Sequence, residues 1–228
     1  MNVLTNLLRS SVGRKLVMGV TGAALFAFVV IHMLGNLQVF AGAETLNHYA
    51  MLLRTSEEGL WAFRLGLLTM AALHVYSSIS LTLDNRRARP DAYAQIQPLC
   101  ATLASRTMMI TGVIAAAFII FHILHFTTRD IFTEYRGWKT LVHGREGHDV
   151  YRMVIHGFQI PWVSAAYILG VGLICFHLSH GAQSFFQSLG LVNPGYRPVI
   201  RAIGTLAAIG IFVGMSIVPV AILLKWVY

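Results

Sequence analysis

Five apolar runs of helical length alternate with polar connections along the chain, at residues 16–40, 60–83, 103–126, 160–186 and 199–224. Crossing the hydrocarbon core of a bilayer takes about 20 mostly apolar residues in a helix, so each run predicts one transmembrane span. The connection from Asp84 to Thr102 is short, polar and proline-containing, whereas that from Thr127 to Gln159 is longer and carries most of the remaining charge. Within the longer one, Val150, Tyr151, Val154, Ile155 and Phe158 recur at helical spacing, predicting either a short interfacial helix or a helical lead-in to the fourth span. No internal repeat or low-complexity segment stands out. The expectation is an all-α integral membrane protein, a single domain over residues 1–228, whose first four helices form a bundle.

Composition agrees with that solvent. The chain is 56% hydrophobic and 11% charged with a mean hydropathy of +0.66, whereas about a quarter of the residues of a soluble domain are charged. Little is left for a soluble catalytic domain, which must sit on another chain. The net charge of +8 resides in basic residues that stand singly or in small groups beside apolar runs, a pattern of membrane flanks rather than of nucleic-acid binding. Cys100 and Cys175 have no CxxC spacing, so neither a disulfide framework nor a thiolate metal site is indicated. The opening MNVLTNLLRSSVGRK leads into an apolar run longer than the core of a signal peptide, which predicts a retained first span. Arg9, Arg14 and Lys15 before span one, Arg86, Arg87, Arg89 and Arg106 around the second connection, and Arg197 and Arg201 before span five place the N-terminus in the cytoplasm. The opposite side holds eight basic residues against these nine, but most share one long loop with Asp130, Glu134, Glu146 and Asp149.

The chemistry lies in the histidines. Six of ten fall within predicted spans: His32, His74, His122, His125, His177 and His180. An ionisable side chain at membrane depth is costly without a partner and by default marks a functional site. Haem fits this pattern best, because imidazoles on facing helices of a bundle hold the iron of a b-type haem. Helical rise tests the idea. His32 lies 17 residues beyond Lys15 and His122 lies 16 beyond Arg106, both roughly 25 Å from the cytoplasmic edge. His74 precedes Arg86 by 12 residues and His177 precedes Gln187 by 10, both roughly 15–18 Å from that edge. The histidines therefore pair by depth, His32 with His122 and His74 with His177, although successive spans run in opposite directions. His125 and His180 follow His122 and His177 by three residues and remain rival ligands; nearer the span ends, they suit contacts to haem propionates, water or quinone. Gly170, on nearly the same face as His177, suits either the approach of a flat macrocycle or helix packing.

The run MVIHGFQIPWVSAAYILGVGLICFHLSHGAQSFFQSLGL, with IHMLGN around His32, GAETLN after it, LHVYSSI around His74 and RTMMITG followed by FH at His122, resembles the five-helix, di-haem cytochrome b anchor of succinate dehydrogenases and fumarate reductases. The resemblance implies His32, His74, His122 and His177 as axial ligands of two b haems, a flavoprotein and an iron–sulfur subunit docked on the cytoplasmic face, and a bacterial or archaeal cytoplasmic membrane. It also implies reaction with menaquinone or another quinone near the haem furthest from the cytoplasm, where the matching neighbourhood is Glu44, Asn47 and His48, with Asn47 where an acid is expected. Arg106 and the other cytoplasmic arginines are candidates for propionate pairing or for fixing topology alone. The rival readings are the haem b anchor of another quinone-linked dehydrogenase or of a hydrogenase, and a histidine-relay transporter or proton channel. The last is disfavoured by the lack of Asp or Glu inside the spans and of an inverted repeat.

Overall fold

The computed structural model describes residues 7–88 and 102–228. The residues before Leu7, Arg89, Cys100 and most of the connection between spans two and three lie outside the described residues. Among those described, five helices are long and apolar enough to cross a membrane: Ser11–Ala41, Glu57–Arg87, Met108–Thr127, Pro161–Ser188 and Arg197–Leu223. Each overlaps one apolar run of the sequence. We number the helices α1 (Ser11–Asn36), α2 (Ala43–Leu52), α3 (Glu57–Arg87), α4 (Leu103–Arg106), α5 (Met108–His122), α6 (Val150–Gln159), α7 (Pro161–Ser188) and α8 (Arg197–Leu223).

Local chemistry sets the ends. Glu57 and Glu58 in the first turn of α3 and Arg86 and Arg87 in its last complement the helix dipole. The third span begins later than expected, at Met108, because Thr102 caps a separate turn: its side chain accepts from the Ser105 amide at 3.1 Å. Pro161 opens α7, and the residue before it, Ile160, is extended as a residue preceding proline must be. Beyond Ser188 the chain closes in a Schellman turn, with Leu191 N–H on the Phe186 carbonyl at 2.9 Å, Gly190 N–H on that of Gln187 at 3.1 Å, and Gly190 at φ 73°.

The long connection holds more structure than its sequence announces. Strands β1 (Lys139–Val142) and β2 (Arg145–His148) pair antiparallel across a two-residue turn, His143–Gly144, whose φ values of 49° and 75° suit the primed turns of hairpins. The expected short helix is α6. Its apolar face, Met153, Val154, Ile155, Gly157 and Phe158, is buried within protein, and it ends before Ile160 rather than running into span four.

By Cα proximity the chain divides into two compact units, each built from stretches of all five spans. The first comprises Met1–Phe28, Arg64–Gly112 and Phe176–Ala208, the second Val29–Phe63, Val113–Cys175 and Ile209–Tyr228. In the first, small residues bring helices close: a methyl on Gly19 would fall 2.9 Å from Ser188 Cβ, and one on Gly204 would fall 3.0 Å from Ala182 Cβ. Arg14, its side chain 11% exposed, pairs with Asp84. The second has an apolar core of Val39, Leu46, Val154, Ile155, Phe158, Val163, Tyr167, Val218 and Ile222. Residues such as Ile31, Leu68, Ile110, Leu169 and Leu206 leave their side chains outward, as lipid-facing positions of an integral membrane protein require.

Candidate functional site

In the first unit, two imidazoles are seated in the same way. His74 Nδ1 lies 3.3 Å from Thr21 Oγ1, and His177 Nδ1 lies 3.1 Å from Thr111 Oγ1. Each threonine is buried and gives its own proton to the carbonyl four residues back, Val17 at 2.7 Å and Thr107 at 3.0 Å. Its lone pair is then free to accept from Nδ1–H. That bond fixes the tautomer in which Nε2 carries no proton and can bind a metal. The glycine following each threonine makes room for the ring: a methyl on Gly22 would meet His74 Cε1 at 3.2 Å, and one on Gly112 would meet His177 Cε1 at 3.4 Å. His180 instead bonds Ser184, with Nε2 3.0 Å from its hydroxyl. Arg106 is exposed at the end of α4.

The second unit holds the other pair. The rings of His32 and His122 lie 5.7 Å apart at 79°. These two rings, from the first and third spans, would be the residues to hold one metal-centred group there. His122 Nδ1 is 3.3 Å from the Tyr167 hydroxyl, and His125 Nδ1 is 3.0 Å from the same oxygen. A phenol has one proton to give, so Tyr167 accepts from one ring and donates to the other. His125 is 0% exposed, in a π turn, Ile123–Thr127, that ends the third span. Its ring stacks on Phe126 with centroids 3.9 Å apart, and its Nε2 has no partner among the described residues. His32 Nε2 faces the Asn36 side-chain amide at 3.3 Å. Gly170 takes its packing role here: a side chain on it would run into the Phe118 ring, which stacks with His122.

The donor sets suit haem. Among the described residues no three metal-ligating side chains converge, so a bare ion would lack ligands, whereas a porphyrin brings four nitrogens and asks the protein for two. Each unit supplies two imidazoles from different spans. Three of these four have Nδ1 on a hydroxyl, which leaves Nε2 for iron where that hydroxyl accepts: Thr21 and Thr111 do, and Tyr167 does when His122 is the ring that donates to it.

The expected quinone residues separate. Glu44 and His48 line a cleft of about 280 Å³ with Gln38, Thr45, Tyr49, Leu52 and His143. His143, missed in the sequence, stands edge-on to His48 with centroids 4.9 Å apart and Nε2 3.9 Å from Glu44. Asn47 is placed elsewhere. It is 2% exposed, its amide donates to Asp149 at 3.0 Å, and its carbonyl accepts from the Tyr151 N–H at 2.9 Å. It pins α2 to the start of α6, and Asp149 is the acid of that neighbourhood. The same carboxylate caps α6 through the Arg152 N–H at 3.0 Å.

Beyond the cleft, Tyr135 is wholly buried and bonds His156 Nδ1 at 3.1 Å, and burial followed by the charge of Glu134 pushes its hydroxyl up to about 12.

A family model described as the succinate dehydrogenase/fumarate reductase transmembrane subunit matches residues 82–218. The match takes in Thr111, His122 and His177 and begins after His32 and His74. No curated protein and no solved structure gives a significant match. Since the model covers more than half of a chain with five membrane-spanning helices, this protein belongs to the family of succinate dehydrogenase/fumarate reductase transmembrane subunits.

Proposed function

We propose that this membrane subunit carries electrons through two b haems, one held by His74 and His177 and the other by His32 and His122, between an iron–sulfur partner and a quinone, menaquinone in the first instance. The observations that support the reading are the seating of His74, His122 and His177, from three different spans, with Nδ1 on buried hydroxyls, and the nearness of the His32 and His122 rings. A haem bound at each pair supplies one-electron oxidation and reduction of its iron. The chain does the rest: histidines ligate, Thr21, Thr111 and Tyr167 orient the rings, and Phe118, Phe121, Phe126 and Phe158 keep water from the second pair. Succinate and fumarate chemistry belongs to a flavoprotein partner, joined through an iron–sulfur subunit at the cytoplasmic face of a bacterial or archaeal membrane, with the N-terminus on that side. Electrons pass from the partner to the His74/His177 pair, then to the His32/His122 pair. Quinone reacts at the cleft of Glu44, His48 and His143, whose exposed carboxylate and imidazoles can exchange its protons.

The experiment is a reduced-minus-oxidised optical spectrum of the purified complex with a haem-to-protein ratio. Two b haems per chain are expected. Replacing His74 or His177 by alanine removes one and leaves the other, and His32→Ala or His122→Ala does the converse. A chain without b-type bands would end the proposal. With haem intact, Glu44→Gln and His48→Ala should raise KM for quinol in succinate–quinone turnover; unchanged KM in both would move the quinone elsewhere.

A further inference from the structure

The two seats in the first unit are copies. Met18, Thr21, Gly22, Phe28 and His32 of α1 recur as Met108, Thr111, Gly112, Phe118 and His122 of α5, at a constant offset of 90 residues. The copies also agree atom by atom. Each threonine hydroxyl reaches the carbonyl three residues back, Met18 at 3.3 Å and Met108 at 3.2 Å, as well as the one four residues back. A buried threonine in an apolar helix needs only the carbonyl bond to satisfy its proton. Directing the lone pair at an imidazole on another helix, twice, with a bare Cα beneath each ring, is beyond that need. Each of the two helices thus offers a hydroxyl to one histidine pair and, eleven residues on, a histidine to the other pair.

We infer that Thr21 and Thr111 are positioning residues that fix the tautomer and ring plane of His74 and His177 and lower the reduction potential of the haem held between them. The inference rests on the haem reading above. An imidazole whose N–H is given to an acceptor is a stronger base toward iron and favours the oxidised metal. Loss of the hydroxyl must therefore favour the reduced form and loosen the haem.

The test uses the full chain in its assembled complex, with Thr21→Val, Thr111→Val, the two Thr→Ser variants, and Thr69→Val as control. Thr69 donates to the Leu65 carbonyl at 2.8 Å on α3 but is exposed and meets no imidazole. At fixed ambient potential, each valine variant should raise the reduced-to-oxidised ratio of one haem about two- to tenfold, the worth of one hydrogen bond. That haem's low-temperature electron paramagnetic resonance signal should shift, and its affinity should fall about 10- to 100-fold. The second haem, the serine variants and Thr69→Val should match the unaltered protein. Should a valine variant fail to accumulate, Thr→Ala replaces it with the same expectation. Valine variants that titrate like the unaltered protein, serine variants that shift as far as valine, or equal shifts in both haems would overturn the inference while leaving the haem reading intact. An unaltered complex without haem would overturn both.

Discussion

Replacing Tyr167 by phenylalanine removes one oxygen and two hydrogen bonds. Tyr167 is 6% exposed, and its hydroxyl serves His122 Nδ1 at 3.3 Å and His125 Nδ1 at 3.0 Å. No other partner reaches either nitrogen through a bond described here, so the change strands one ring N–H and one ring lone pair in an aromatic cluster. Leaving a buried polar group unsatisfied costs about 1–3 kcal/mol, and two such groups, less the easier burial of phenylalanine, give about 2–4 kcal/mol. For a chain of this size each kcal/mol moves the thermal midpoint by about 2–4 °C, so Tyr167→Phe should lower it by roughly 5–15 °C. The assay is near-ultraviolet circular dichroism of the detergent-solubilised protein at one heating rate, because membrane proteins unfold irreversibly and the midpoint then depends on rate. Tyr196→Phe, at a tyrosine 54% exposed, is the control. Combining Tyr167→Phe with His125→Leu should cost less than the sum of the two singles by about 0.5–3 kcal/mol, since the second change removes a group the first had stranded. If Tyr167→Phe moves the midpoint no further than Tyr196→Phe, or the double variant is simply additive, the hydroxyl does not hold these rings.

Asn47→Asp puts a second carboxylate against Asp149 in place of a 3.0 Å hydrogen bond. Although an acid is what the family resemblance suggests there, this change should expose the segment between α5 and α6 to limited proteolysis, and cleavage no faster than in the parent would contradict the pin. Gly170→Ala forces the Phe118 ring aside at about 1–3 kcal/mol, whereas Gly66→Ala, with open space around it, should be neutral or stabilising by up to about 1 kcal/mol; a comparison of midpoints distinguishes them, and equal effects would remove the packing role of Gly170. His148 is held below its ordinary pKa by burial and then by Arg129, with Arg54 adding to it. The folded chain thus prefers the neutral ring, so stability is full above the unfolded value of about 6.5 and declines as pH falls through it. The protection of the amides of residues 139–148, relative to their intrinsic exchange rates, should fall between about pH 7 and 5 and lose that dependence in His148→Gln; a slope that survives the substitution assigns the titration elsewhere.

The spans and the nearness of His32 to His122 were readable because each follows from a one-dimensional rule. A span is a count of apolar residues, and pairing by depth needs only the helical rise and the flanking charges. What escaped depends on which atoms face each other. Thr21 and Thr111 look like neutral members of apolar runs, and their significance shows only when Thr-Gly is placed eleven residues before a histidine twice, a repeat hidden by the similarity of all membrane helices. The β1–β2 hairpin, Lys139 to His148, has strands of four residues, mostly polar, and its one sequence mark is the His-Gly turn. Asn47 shares a short helix with Glu44 and His48, but helical geometry puts its side chain one way and those of Glu44 and His48, at i−3 and i+1, toward the cleft. His143 could be joined to them only through the hairpin. For Gly170 helical periodicity left two uses open, a macrocycle's approach or helix packing, and the Phe118 ring against it supplies the second.

The two histidine pairs reach a similar end by different hydrogen-bond designs, and the difference has a consequence. His74 and His177 each have a private hydroxyl, carried on a rigid helix and backed by that helix's own carbonyls. His122 shares its hydroxyl with His125, whose far nitrogen has no partner. A private seat has one low-energy proton arrangement. With His122 Nε2 left to iron, the shared phenol accepts from His122 Nδ1–H and donates to His125 Nδ1, and a proton taken up by His125 leaves Tyr167 accepting from both rings. With a haem at each pair, the first design would keep one ligand state, while the second would register proton uptake by His125. The same asymmetry predicts where pH should act on an electron-transfer path through both: the midpoint potential of the haem at His74/His177 should be the less pH-dependent of the two, and Tyr167→Phe should flatten the slope of the other. Redox titrations at pH 6, 7 and 8 measure both slopes, and equal slopes in the unaltered complex would show that sharing the phenol confers no proton coupling.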